Sequence, residues 1–321
     1  MTISEIAKMA GVSPAAVSRY LNNGYLSDDK KEAIRRVIEE TGYKPSLQAQ
    51  ILRTKKTRLI SVIFHHTVTD TSLAQYMGYL LCGLNSVFSQ NGYDLLYHCT
   101  EGETDALIHA AANAKTRCAD GIVVICDRLS EACVKQIKEV DLPVLTLGAE
   151  TECFASVVPD YSSSIHHLTE QLILRGACKL AFIGLPPQNK CRGADRFDGY
   201  KSALQDRGVP LDTSLIALCE STIANGYTAM QRLLTQCSGI DAVVCGTDVL
   251  AAGARKYLSE HPAARPIRTS GFGGTELAEY LSPDLLTASI DLKQLGSLAA
   301  ETMIQYLTLP EDSRVPIRKT I

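Results

Sequence analysis

The side chains of this 321-residue chain that could do chemistry are many, yet poorly spaced for catalysis. Four of the seven histidines fall in two adjacent pairs, His65-His66 and His166-His167. Neighbours on a helix point in different directions, so His166 and His167 are badly placed to share a metal ion. Eleven cysteines are scattered from Cys82 to Cys245 without a C-x-x-C. Such a set reads as free thiols in a reducing compartment, with neither disulfide framework nor metal site expected. The run G-F-G-G at 271–274 lacks the spacing of a dinucleotide fingerprint, and neither a P-loop nor a G-x-S-x-G elbow occurs. No cofactor and no enzymatic activity are expected. What stands out is cationic: Lys190, Arg192 and Arg196 lie within seven residues. A cation cluster without acidic counterparts favours an anionic ligand, and guanidinium matches phosphate geometry.

Charge along the chain is equally uneven. The total is −3, but residues 1–58 hold 11 Lys and Arg against 6 Asp and Glu, a net +5 that leaves −8 for the remainder. A basic head on an acidic body suits a protein whose head meets phosphates and whose body does not. That head spells out short helices. Thr2 and Glu5 form an S/T-x-x-E capping box, and Ile3, Ile6, Ala7 and Ala10 share one face. Gly11 breaks this helix, Ser13 caps a second, and Pro14 opens it. Val17 and Leu21 then face inward, leaving Ala15, Ala16, Ser18, Arg19 and Asn22 outward. This order of caps, corner and apolar positions is a helix-turn-helix. Ser27 can cap a third helix whose stripe is Ala33, Ile34, Val37 and Ile38, stopped by Gly42 and Pro45. Residues 46–57 are helix-compatible but only about two turns long, too short to be stable alone in water.

From Leu59 onward, short apolar runs alternate with helical stretches. Strands are predicted at 59–64, 94–99, 121–126, 144–147 and 156–158, then at 180–183, 215–218, 242–245, 268–271 and 287–290. Helices are predicted at 75–90, 161–175, 196–207, 226–235 and 249–260. Continuous apolar strands between helices indicate parallel sheets covered on both faces, and the two series indicate two similar lobes. No apolar run reaches the ~18 residues of a membrane span, and no leader precedes the head, so a cytoplasmic protein without membrane contact is expected.

Residues 2–56 resemble the DNA-binding module of the lactose-repressor (LacI/GalR-type) family. The resemblance rests on T-I-x-E-I-A, A-G-V-S, V-S-R-Y-L-N, the later G-Y-K-P, and the hinge pattern A-x-x-L-R. One departure is the loop 23–26, about a residue shorter than in many relatives. The rest resembles the two-lobed periplasmic-binding-protein-like body of that family. The implied layout is a head at 1–45, a hinge helix and linker at 46–58, and an effector and dimerisation domain at 59–321. Within it, the first lobe would hold 59–158 with 291–312, and the second 159–290 with 313–321. The lobes would thus be crossed near Pro159, near Asp291 and around 312–315.

The resemblance also implies roles. The second helix would enter the major groove of a pseudo-palindromic operator. There Ala15 and Ala16 meet thymine methyls, Arg19 reads guanine, and Ser18 shares their face. Ser4, Ser13, Asn22 and Lys55 would hold the phosphate backbone, and Leu52 would wedge into the minor groove. In the body, carry-over places His66, Tyr76, Asp160, Lys190, Arg192, Arg196, Ser221, Thr247, Asp248 and Gly273 at the effector. Asp160 and Asp248 could equally be helix N-caps. Gly273 is itself a departure, because many relatives carry a sugar-binding aspartate third in this motif. With that carboxylate gone the cleft turns more positive. A phosphorylated sugar becomes the favoured effector, as in the trehalose-repressor branch that V-V-C-G-T-D-V-L-A-A-G-A-R-K-Y-L resembles. A symmetric dimer is expected, since one head reads a half-site. A transport-type sugar-binding protein or a carbohydrate enzyme would share the body but has no use for the basic head.

Overall fold

The computed structural model describes residues 1–22, 24–43, 56–66, 73–101, 104–126, 128–186, 193–263, 265–274, 278, 280, 285–310 and 314–321. The chain separates into two compact units, Met1–Thr57 and Arg58–Ile321.

The first unit contains α1 (Ile3–Met9), α2 (Pro14–Leu21) and α3 (Asp28–Thr41). Its first helix starts where the sequence places it. Thr2 Oγ1 accepts from the Glu5 backbone N–H at 3.3 Å, and the Thr2 N–H donates to Glu5 Oε2 at 2.6 Å. Both halves of the capping box are therefore made. Gly11, at φ 64°, takes the left-handed turn that the corner needs. Ser13 Oγ then accepts from the Ala16 N–H at 3.2 Å and opens α2 behind Pro14. Ile6, Ala7, Ala16, Val17, Leu26, Ile34 and Val37 form the core between the three helices. Ala16 is thus a correction. Expected on the outer face, it is 6% exposed, because it sits one step round α2 from Val17 and turns its methyl toward the same core. Ser27 is a smaller one: it precedes α3 without a side-chain cap hydrogen bond. Gly42 ends α3 in the left-handed region.

The second unit is built on two parallel sheets. The first collects β1 (Leu59–His66), β2 (Asp94–Glu101), β3 (Gly121–Cys126), β4 (Val144–Gly148), β5 (Ala155–Val158) and β11 (Arg318–Thr320), ordered β11-β5-β4-β3-β1-β2. The second collects β6 (Leu180–Gly184), β7 (Ile216–Leu218), β8 (Ala242–Cys245), β9 (Arg268–Phe272) and β10 (Leu286–Ala288), ordered β10-β9-β8-β6-β7. Apart from β11, both sheets wind identically: the second strand lies outside the first, and the rest run out on the other side. The helices are α4 (Leu73–Gln90), α5 (Thr104–Thr116), α6 (Glu131–Lys138), α7 (Tyr161–Leu174), α8 (Asp195–Asp206), α9 (Ile223–Gln236), α10 (Asp248–Glu260) and α11 (Leu292–Thr308). Strands β3, β4, β5, β6 and β8 are buried along their whole length, as parallel strands covered on both faces must be.

Helix pairs cover the sheets at very short range. A Cβ on Gly83 of α4 would collide with the Lys293 carbonyl of α11, and one on Gly296 of α11 with the Leu80 carbonyl of α4. The same exchange joins α9 and α10 through Gly226 and Gly253. Backbone meets backbone there, with no side chain between.

Residues 313–321, expected in the second lobe, contribute β11 to the first sheet. Arg318, Lys319 and Thr320 pair in parallel with Ser156, Val157 and Val158 of β5. The Arg318 guanidinium also reaches Glu150 Oε1 at 2.7 Å, at the end of β4. Because α11 packs on β5, β4 and β3 as well, the chain is with the first sheet both before and after 312–315, and no crossing is needed there. The two crossings present among the described residues run from β5 to α7 and from β10 to α11. Each ends on an aspartate cap: Asp160 Oδ1 accepts from Ser163 N–H at 2.9 Å, and Asp291 Oδ1 from Gln294 N–H at 2.8 Å.

Candidate nucleic-acid interface and effector site

On the head, α2 presents Ala15, Arg19 and Asn22 to solvent, with Ser18 half-buried. The geometry follows from the core: once Ala16, Val17 and Leu21 pack inward, the helical period turns positions 15, 18, 19 and 22 out. Asn22 is the C-cap of α2, and its side-chain amide donates to the Ser18 carbonyl at 2.5 Å. The Arg19 carbonyl accepts from the Gly24 N–H at 2.8 Å, which folds the following loop against the helix end. Ser4 and Ser13 are exposed, with the Ser13 hydroxyl already serving as a cap. Leu52 and Lys55 lie outside the described residues. Arg35 on α3 is instead tied to Glu32 at 2.7 Å.

In the body, ligands of open α/β sheets sit beyond the carboxyl ends of the strands, at the point where strand order reverses. That point lies between β1 and β3 in the first sheet and between β6 and β8 in the second. His66 closes β1, and Tyr76 is half-buried on α4 against the first-lobe core. Lys190 and Arg192 lie outside the described residues.

Arg196, in the first turn of α8, is 6% exposed. Its guanidinium carbon lies 4.6 Å from the ring centres of both Tyr161 and Phe272. Those rings are 5.5 Å apart and steeply inclined, so they form a corner against which the guanidinium rests. Neither aromatic was among the residues singled out from sequence, although each directly neighbours one that was, Asp160 and Gly273. A Cβ on Gly246 would come within 3.9 Å of Arg196 Cδ, which sets the arginine beside the loop that carries Thr247. The neighbouring Asp195 carboxyl is pushed above its usual range, first by burial and then by Asp198 and Asp160.

Ser221, Thr247 and Asp248 are brought together, but largely for one another. Ser221 Oγ and Thr247 Oγ1 lie 2.8 Å apart, and Thr247 is the residue that caps α10, accepting from Leu250 N–H at 3.1 Å. Asp248, considered as that cap, is instead the first residue inside the helix. It is 1% exposed, and its Oδ1 accepts from Thr287 Oγ1 at 2.7 Å. The Asp248 carboxylate is thus committed to a strand behind the loop. Asp160 likewise spends one carboxylate oxygen on the α7 cap. Gly273 holds φ 139° and donates its N–H to the Ala288 carbonyl at 2.9 Å, joining the ends of β9 and β10. No helix among the described residues is long and apolar enough to cross a membrane.

Two family models account for nearly the whole chain. One, for bacterial regulatory proteins of the lacI family, matches residues 2–46. The other, for periplasmic binding proteins and the sugar-binding domain of the LacI family, matches residues 68–320. The HTH-type transcriptional regulator AscG of Escherichia coli K12 is 30% identical over 304 residues, spanning 92% of this chain and 88% of its own. The ribose operon repressor of Haemophilus influenzae is 29% identical, spanning 97% and 93%. The lac repressor dimer bound to operator and the anti-inducer ONPF superposes with a TM-score of 0.83, covering 100% of this chain and 96% of that one. Its 19% identity makes that likeness one of fold. With a family model spanning well over half of its length, this chain belongs to the LacI family.

Proposed function

We propose that the protein is a homodimeric, sequence-specific transcriptional repressor of a sugar-utilisation operon, controlled by a sugar or sugar phosphate held between the lobes. One observation carries the DNA half of this reading: an autonomous, capped helix-turn-helix core leaves Ala15, Ser18, Arg19 and Asn22 on the free face of α2. Arg19 reads guanine through a bidentate pair, Ala15 meets a thymine methyl, and Ser4, Ser13, Asn22 and Lys55 hold the register on phosphates. Leu52 wedges the minor groove from the hinge at 46–58. The test is binding of the full chain to duplexes that it selects from a random pool. Arg19→Ala should weaken the selected site by roughly 1–3 kcal/mol, about five- to 150-fold, and relax preference at one base. Equal loss on every sequence would reduce Arg19 to a phosphate contact.

The effector half rests on Arg196, a cation seated against two rings in a lobe whose Gly273 offers no carboxylate. Lys190 and Arg192, which shortly precede it in the sequence, bring further positive charge, and with it a preference for a phosphorylated sugar. Ligand binding changes the relation of the lobes, and with it the hinges of the dimer and the grip on DNA. A thermal-shift screen of free sugars against their phosphates tests this. Ligand at ~100 times its Kd adds about 2.7 kcal/mol to stability, an easily read rise in midpoint. A response to neutral sugars alone would sink the anionic reading and leave the repressor standing.

A further inference from the structure

Among the described residues, two charged side chains are buried, Arg196 and Asp248. Arg196 belongs to the effector site proposed above; Asp248 lies behind it. The Asp248 carboxylate rests on the end of β9, where a Cβ on Gly271 would collide with its Oδ1, and it accepts a hydrogen bond from the Thr287 hydroxyl on β10. Thr287 stands four residues before Asp291, the cap that begins α11 after the second crossing. On its other side Asp248 follows Thr247, which bonds Ser221 and caps the same helix. Two hydrogen bonds, joined by the Thr247–Asp248 backbone, therefore link the loop after β7, through the first turn of α10, to the strand that feeds the second crossing.

We propose that Asp248 is a positioning residue for the effector response: its buried carboxylate couples the ligand-facing Ser221–Thr247 pair to the second lobe crossing. The physical basis is stiffness. Ser221 and Thr247 occupy adjacent loops at the strand ends, where a ligand would contact them. Asp248 is fixed in the first turn of α10, whose Gly253 packs backbone-on-backbone against α9. A shift of Thr247 must carry the helix end with it, and the 2.7 Å bond to Thr287 transmits that shift to β10. A buried, charge-assisted hydrogen bond holds its direction far better than apolar packing, which slides. The role of Ser221 and Thr247 at the ligand rests on the effector reading above; the coupling itself does not need a ligand to be measured.

The experiment is amide hydrogen exchange on the full-length protein without ligand or DNA, in a double-mutant cycle. Thr287→Val removes the hydroxyl that Asp248 holds, and Thr287→Ser restores it. Thr287→Val should speed exchange across 286–292 by roughly ten- to 100-fold, the effect of one lost hydrogen bond to a charged group, with 223–236 unchanged. Thr287→Ser should return it to the wild-type rate. Ser221→Ala, at the far end, should also speed exchange across 286–292 in the wild-type background. In the Thr287→Val background its further effect should fall below about twofold, because the connection is already cut. Additive effects of the two substitutions would overturn the proposal, as would a Thr287→Val increase spread evenly over the second lobe. Failure to find an operator or an effector would count against the repressor reading and leave this result intact.

Discussion

At the carboxyl ends of the first-lobe strands, His65 Nδ1 and Thr100 Oγ1 lie 3.0 Å apart, and Thr100 turns to the Phe64 carbonyl. At the corresponding ends in the second lobe stand Arg196, seated against Tyr161 and Phe272, and Asp248, bonded to Thr287. The scaffolds beneath are nearly interchangeable. Both sheets wind in the same order, and both use paired glycines to bring helices into backbone contact. Both also use an aspartate before the third strand of the winding to hold the chain before the first: Asp120 Oδ2 accepts from Arg58 N–H, and Asp241 Oδ2 from Cys178 and Lys179 N–H. What differs is where charge is kept out of water. Among the described residues, the first-lobe strand ends hold the His65–Thr100 pair, and the second lobe holds a buried cation with a buried anion behind it. A shared architecture has been given two electrostatic tasks.

That contrast can be broken most directly at Arg196. Arg196→Met should abolish the ligand-induced stabilisation, about 2.7 kcal/mol at ~100 times Kd, when the thermal-shift screen is repeated with the best ligand. Thr100→Val, in the first lobe, should change that ligand's affinity by less than about 1 kcal/mol. Equal losses from both would mean that the lobes share the binding charge. The common scaffold can be probed next. Gly253→Ala and Gly296→Ala should each destabilise by about 1–3 kcal/mol in urea unfolding, since an added methyl must push two helix backbones apart. A near-neutral result in one lobe would show that its helices can slide. The smallest effect is expected at Asp241, whose carboxyl is held below its usual range by the N–H groups of Cys178 and Lys179. A lowered folded value means that this contribution is complete above the ordinary carboxylate pKa of about 3.9 and fades as pH falls through the lower one. The stability gap between wild type and Asp241→Asn should accordingly narrow below about pH 4.

Much of this was readable from the chain itself. Helix starts are legible at Thr2 and Ser13, because capping is decided within four residues, but not at Thr222 or Ser130, although both cap helices. Strands such as 121–126 and 242–245 were legible because burial on both faces leaves an unbroken apolar run. Ala16 was misjudged because a methyl at the margin of a helical stripe suits either face, and only the position of the neighbouring helices decides. The placement of β11 was missed for a different reason. Three alternating polar residues carry no signal of their partner, and β5 lies more than 150 residues earlier in the chain. Asp248 was named as a candidate, but its partner Thr287 was not, since a hydrogen bond between distant strand ends leaves no local pattern. Tyr161 and Phe272 escaped likewise: an aromatic residue in an apolar run reads as core until the guanidinium it faces is known.

The backbone of Gly273 has an evolutionary consequence. At φ 139° it occupies a conformation that residues with a Cβ rarely adopt, and its N–H is committed to the Ala288 carbonyl. A mutation restoring an acidic side chain at this position would carry a strain of order 1–3 kcal/mol before any ligand was bound. The turn itself therefore selects glycine, whatever the site binds.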